Sequence, residues 1–163
     1  MFVKLAIRDA LIIAVVAAGW LGLLPLSEGR PLVSDALALL LGLGVTVGAY
    51  LLHEWGHALV GLVVGGRLHA PASLVSISLF SFDTEANSKT QFAAMSVGGF
   101  VVTAAAMGFV YLVLPDGFVA SSVARGGVTL LAAITVFVEV PLLVYGLLAR
   151  RLPGVVAVFR PQI

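Results

Sequence analysis

The stretch AYLLHEWGHALVG, residues 49–61, places two histidines and a glutamate inside a run that is otherwise apolar. On an α-helix His53 and His57 lie one turn apart and share a face. The apolar run extends from about Ala36 to Val64, longer than the roughly 20 residues that cross a bilayer. Reading it as a membrane span, not as a soluble helix, decides the fold, because three more stretches of the same kind follow from that reading. They run from about Leu5 to Leu26, from Phe92 to Leu114 and from Val128 to Leu148. The expected fold class is an all-α membrane protein with four transmembrane helices, forming a single membrane domain over residues 1–163. A short interfacial strand or hairpin is expected between helices 2 and 3.

Composition supports a lipid solvent. Hydrophobic residues make up 61% of the chain and charged residues 10%, against about 45–50% and about 25% in soluble domains. The chain has no cysteine, which excludes disulfides and thiolate metal ligands, so any metal falls to His, Asp or Glu. The net charge is +1 and no basic stripe is present, which argues against nucleic acid as a partner. Lys4 and Arg8 before an apolar run resemble the start of a signal peptide. The run is long for one and three spans follow, so it is read as a span.

With four spans, both termini share a side with the loop between spans two and three. That side carries Lys4, Arg8, Arg67, Lys89, Arg150, Arg151 and Arg160, and the other carries Arg30 and Arg125. The positive-inside rule then puts both termini in the cytoplasm. In the cytoplasmic-side loop, residues 67–89, Val75, Ile77 and Leu79 alternate with Ser76, Ser78 and Phe80, a period-two pattern that predicts a short strand. Glycine pairs four apart, Gly44 with Gly48 and Gly61 with Gly65, predict close helix packing.

The motif has a chemistry of its own. Two imidazoles one turn apart can bind one tetrahedral zinc ion. Glu54 then lies beside the metal, placed as general base for a zinc-activated water, and H-E-x-x-H on a helix is a metalloprotease pattern. Trp55 falls on another face and is expected to pack, while Gly56 leaves room beside the site. Each ionisable group at mid-membrane costs at least about 2–3 kcal/mol, so three of them together point to function.

HEWGHALVGLVVGGR, residues 53–67, resembles the zinc-binding helix of the site-2 protease family, the intramembrane zinc metalloproteases. Their signature there is H-E-x-x-H, often followed by small residues and a glycine-rich helix end. The likeness extends more loosely over spans two to four. It implies an intramembrane endopeptidase that cuts transmembrane segments of other proteins near the cytoplasmic face. The implied roles are zinc ligation for His53 and His57, and general base for Glu54.

A catalytic zinc usually takes three protein ligands. The family draws the third from an Asp-Gly pair in a later span, often in an Asn-x-x-Pro…Asp-Gly context, and here this chain departs from it. Its one Asp-Gly is Asp116-Gly117, in VLPDGF, beyond the outward end of span three. That is on the order of 15–20 Å from the histidines along the membrane normal, so the pair reads as a turn. Glu139, in TVFVEVPLLVYG, lies at the histidines' depth in span four and is taken as the one other acid inside a span. It is the favoured third ligand, with a protonated or imidazolium-paired glutamate as the alternative. Pro141 cannot donate to the Phe137 carbonyl and is expected to kink the span beside it.

Span three contributes SVGGFVVTAAAMG, residues 96–108. The family often shows a glycine followed four later by Asn, Ser or Gly. Here Gly99 is followed by Thr103, and both are weak substrate-binding candidates. Thr103 or Ser96 could bond a peptide or oxyanion, although bonding within the helix suits both. Asn87 is a candidate helix cap, Gln91 sits at the helix entrance, and His69 reads as a surface histidine.

The leading expectation is a zinc endopeptidase acting on membrane-embedded proteins. An unwound substrate would join the strand near Val75–Leu79 by strand addition. The alternative is a catalytically inactive binding or regulatory membrane protein that keeps the metal site. A small transporter is the third, disfavoured by the histidine spacing and the few intramembrane charges. Four spans are compatible with acting alone, as a homo-oligomer or with a regulatory partner.

Overall fold

The computed structural model describes residues 1–28, 31–76, 78–149 and 152. Ile77 of the expected strand, and Arg30, Arg150, Arg151 and Arg160 of the charge pattern, lie outside the described residues. Helix α1 spans Phe2–Leu23 and continues as a 3-10 turn, Leu24–Glu28. Helix α2 spans Pro31–Val63. A hairpin of β1, Leu68–His69, and β2, Ser81–Phe82, precedes α3, Lys89–Leu112. Span four is α4, Val119–Ile134, a π-helical turn, Thr135–Glu139, and α5, Val140–Leu148.

All four spans are long and apolar enough to cross a membrane. Their outward faces carry large apolar side chains such as Leu21, Val63 and Leu112, each more than 80% exposed. The buried positions include Asp9, His53, Ser96, Thr103 and Thr135. Polar groups inside and apolar groups outside are what a lipid solvent demands. Helix α2, with 33 residues, is about 50 Å long against a hydrocarbon core of about 30 Å. It is the central element and packs against α1, α3 and α4. Between α1, α2 and α3 lies an apolar cleft of about 690 Å³ whose walls include Ile13, Trp20, Leu52, Val102 and Phe109.

The α2–α3 seam has no side chains at its closest point. A Cβ on Gly56 would lie 2.7 Å from the Gly98 carbonyl oxygen, and one on Gly98 would lie 2.5 Å from the Gly56 carbonyl oxygen. Gly42 meets Ala120 and Val123 of α4 in the same way, and Gly127 of α4 meets Thr46. Of the glycines expected from spacing to pack helices, Gly44 and Gly61 have moderately close neighbours and Gly48 has only an ordinary contact with Ile13. Gly65 instead ends α2 with φ +71°. The Gly66 N–H bonds to the Gly61 carbonyl and the Gly65 N–H to the Leu62 carbonyl, the paired bonds of a Schellman ending.

Side chains at the start of α3 fasten the ends of other helices. Ser88, not Asn87, caps α3, in a capping box with Gln91, which satisfies two backbone donors reciprocally. Asn87 instead bonds both backbone groups of Arg67, and Gln91 Nε2 donates to the Val64 carbonyl at 3.1 Å. Lys89 Nζ donates to the carbonyls of Leu147, at 2.9 Å, and Ala149 at the end of α5. At the opposite end of α3, Arg125 donates to the carbonyls of Val110 and Leu114, both at 2.9 Å. Unsatisfied C-terminal carbonyls take basic side chains readily.

The hairpin is present but not where the alternation predicts it. Leu68 pairs with Phe82 and His69 with Ser81, while Val75, Ser76, Ser78 and Leu79 are in no strand. Leu79 is buried and Val75 fully out, so the alternation records one residue tucked under an irregular segment, not a pleat. Asp83 closes the hairpin by accepting from the N–H groups of Ala86 and Glu85. The Ala86 bond first, and then the His69 side chain, hold its carboxyl below the ordinary range.

The seam makes a direct prediction. Gly56→Ala pushes a methyl into backbone and should cost about 1–3 kcal/mol, seen as a lower thermal midpoint in detergent. Gly108→Ala, where a Cβ meets nothing within 4 Å, should leave the midpoint unchanged or raised.

Candidate metal centre

His53 and His57 both point from α2 toward α3 through one ring nitrogen. The Nδ1–H of His57 donates to the Met95 carbonyl at 2.8 Å. The Nδ1 of His53 lies 3.1 Å from the Gly99 carbonyl and 2.7 Å from Thr103 Oγ1. A carbonyl only accepts, so each Nδ1 carries a proton and each neutral ring presents a bare lone pair at Nε2. These two atoms face each other at 3.0 Å, with Glu139 Oε1 3.1 Å from His53 Nε2. Glu139 Oε2 lies 3.8 Å from His57 Nε2 and has no hydrogen-bond partner among the described residues.

Three acceptors therefore converge with no donor among them. In surroundings this dry they repel one another unless a cation or an added proton sits between them. One atom each from His53, His57 and Glu139 lies within 4.8 Å of the others, so the group can hold a metal ion. His53 is 1% exposed, whereas the Glu139 side chain is 27% exposed. The group is thus closed behind His53 and open beside Glu139.

Local structure explains why each group arrives. Gly99 has no Cβ because the His57 ring occupies that place. The π turn carries Glu139 at its last position, and the Val140 N–H bonds to the Thr135 carbonyl five residues back. Pro141 follows at the start of α5. The expected disturbance of span four is thus taken up as a π turn, a common accompaniment of functional positions in helices.

Gly99 and Thr103, the candidates for substrate contact, are found under His53. Thr103 reaches across the seam instead of bonding within its helix, whereas Ser96 Oγ does bond the Phe92 carbonyl at 2.9 Å. Asp116 lies away from the group, 91% exposed and paired with Arg125 at 2.7 Å, in a turn where Gly117 has φ +87°. His69 is a surface residue, 3.3 Å from Asp83. Glu54 is part-buried and follows His53 directly on α2. Trp55 packs beside the Leu5, Ala58 and Leu79 cluster and also donates to Asp9 at 2.9 Å.

Asp9 is the residue the sequence reading passed over. It lies within span one and is 1% exposed, so Glu139 is not the only further acid inside a span. An acid in an apolar run was the signal that would have found it.

Fold and site together define a four-helix membrane protein with a candidate metal centre where α2, α3 and span four meet. No family model matches the chain, and no curated protein or solved structure matches it either.

Groups behind a metal-binding histidine fix its tautomer and orientation, and their loss weakens metal affinity about 10–100-fold. Thr103→Val should show a loss of that size in competition with a chromophoric chelator. Ser96→Ala, which removes only an intrahelical bond, should not.

Proposed function

We propose that the chain is a zinc-dependent intramembrane endopeptidase of the site-2 protease type. The observation that carries this reading is the convergence of His53 Nε2, His57 Nε2 and the Glu139 carboxylate, with Glu54 the residue after His53 on the same helix. Zinc bonds of about 2.0–2.1 Å at tetrahedral angles separate ligand atoms by about 3.3 Å. The separations here are 3.0 Å between the two nitrogens, 3.1 Å from His53 Nε2 to Glu139 Oε1 and 3.8 Å from His57 Nε2 to Glu139 Oε2. Two imidazoles and a carboxylate are also the donor set of many catalytic zinc sites, which leave the fourth position to water or substrate. Zinc held there supplies Lewis acidity that polarises a peptide carbonyl and makes water a competent nucleophile near neutral pH.

The chain's own residues do the rest. His53 and His57 keep their tautomers through the seam, so Nε2 stays available. Glu54 takes the proton from the attacking water on its carboxylate and returns it to the departing amine nitrogen. Glu139 completes the set from span four without needing to ionise alone in lipid.

The substrate is a membrane-embedded segment of another protein. The site is reached from within an apolar surface, and Leu52 and Val102 of the apolar cleft adjoin His53 and Thr103 in sequence. A helix hides its peptide bonds, so the segment must unwind before cleavage. The excess of Lys and Arg on the side of the termini puts both termini, and the open side of the site, toward the cytoplasm.

Purified protein should hold about one zinc per chain, retained in Asp116→Ala and lost in Glu139→Ala. Glu54→Gln should keep the zinc while peptide cleavage falls by about 10²–10⁴-fold. Loss of zinc in Asp116→Ala alone would move the third ligand. A Glu54→Gln chain that keeps every cellular phenotype lost on deletion would make the protein a metal-holding regulatory protein instead.

A further inference from the structure

Each imidazole of the metal group has a partner behind it, and the carboxylate has none. His57 Nδ1–H donates to the Met95 carbonyl, and His53 Nδ1 lies against the Gly99 carbonyl and Thr103 Oγ1. Glu139 Oε1 faces His53 Nε2 at 3.1 Å. Glu139 Oε2 is buried and accepts from nothing among the described residues. Carboxylates that ligate a metal are, as a rule, hydrogen-bonded in turn, and an acceptor left bare in dry surroundings is costly.

One unused donor lies a turn away. Thr135 Oγ1 is likewise buried with no partner among the described residues. Thr135 is 5% exposed, whereas Val136, Phe137 and Val138 after it are exposed, so Thr135 sits on the packed side of span four. A helical Ser or Thr often returns its hydroxyl to the carbonyl four residues back. Thr46, Ser96 and Ser122 do so, at 3.1, 2.9 and 3.3 Å. Thr135 does not. It opens the π turn that Glu139 closes, and residues four apart on a helix are neighbours on one face. Ser121, a further buried hydroxyl without a partner among the described residues, sits near the start of α4, far from the group.

We propose that Thr135 is a positioning residue for Glu139, its hydroxyl donating to Oε2 while Oε1 serves as the ligand atom. The two atoms are not bonded to each other in the structure, so the bond forms as the carboxylate takes up a ligand's geometry. It fixes the plane of the carboxylate and backs Glu139 as Thr103 backs His53. A hydroxyl hydrogen rotates to suit its acceptor, so no other group has to move out of the way. The inference rests on the metal centre and is independent of peptide cleavage.

The test compares the unmutated full-length chain in detergent with Thr135→Val, Thr135→Ser and Ser121→Ala. Zinc affinity would be measured by competition with a chromophoric chelator, and the thermal midpoint on chelator-stripped protein. Thr135→Val should weaken zinc binding by about 10–100-fold, the usual cost of losing a group behind a ligand. Thr135→Ser, which keeps the donor, should hold zinc as the unmutated chain does, and so should Ser121→Ala. Without zinc, Thr135→Val should melt no lower than the unmutated chain, because it removes a buried hydroxyl that has no partner. A residue that merely held the fold would lower that midpoint. Unmutated affinity in Thr135→Val would overturn the proposal alone. Equal weakening in Thr135→Val and Thr135→Ser would also overturn it, as would a lower zinc-free midpoint in Thr135→Val. No zinc in the unmutated chain would overturn the metal centre and this proposal together.

Discussion

The rest of the site depends on backbone meeting backbone at Gly56 and Gly98. Only with both Cβ atoms missing can α2 and α3 approach closely enough for histidines on one helix to bond carbonyls of the other. Those carbonyls, at Met95 and Gly99, belong to residues within α3, and each oxygen has a second lone pair to offer. The bonds turn the Nε2 atoms of both rings to the same side. Span three therefore orients the histidines without contributing a ligand of its own, and the open side is left to span four.

Span four meets that demand through a departure from regular helix. Glu139 closes the π turn and Pro141 follows it, so the backbone is irregular where the acid is presented. Such irregularity is tolerated in a membrane where protein covers it or a cavity receives it. Lys89 holds the far end of the same span by its last carbonyls, and Gln91 and Asn87 hold the end of α2 and the chain just beyond it. The two segments that supply His53, His57 and Glu139 are thus fastened, at their common end, to the first turn of α3. Arg125 gives the opposite end of α3 its own fastening.

Much of this was legible in the sequence, for physical reasons. Four spans follow from apolar runs that only lipid can solvate. His53, Glu54 and His57 stand out because ionisable groups are costly there, and depth along the membrane brings Glu139 to them while leaving Asp116 at a turn. What the sequence hid depends on which faces meet. Spacing cannot tell that Gly42, Gly56, Gly98, Gly99 and Gly127 have neighbours pressed against them, while Gly48 meets only an ordinary contact. Thr103 looks like any helical threonine until His53 is seen across the seam. The strand was misplaced because a residue tucked under an irregular segment leaves the same short alternation as a pleated one. Asp9 was missed because an acid near the start of a span passes for an interfacial charge.

The π turn has a further consequence, for how this chain can change in length. An α-helix advances about 100° per residue, so the wider turn absorbs roughly one residue's worth of rotation before Val140. It is equivalent to a single-residue insertion that the helix has kept. The part of span four before Thr135 and the part after Glu139 therefore run in different phases, each with its own lipid-facing stripe. Removing one residue between them would restore a continuous helix and leave the faces of α5 nearly where they are relative to α4. The position of Glu139 opposite the histidines is, in that sense, a matter of counting as much as of chemistry.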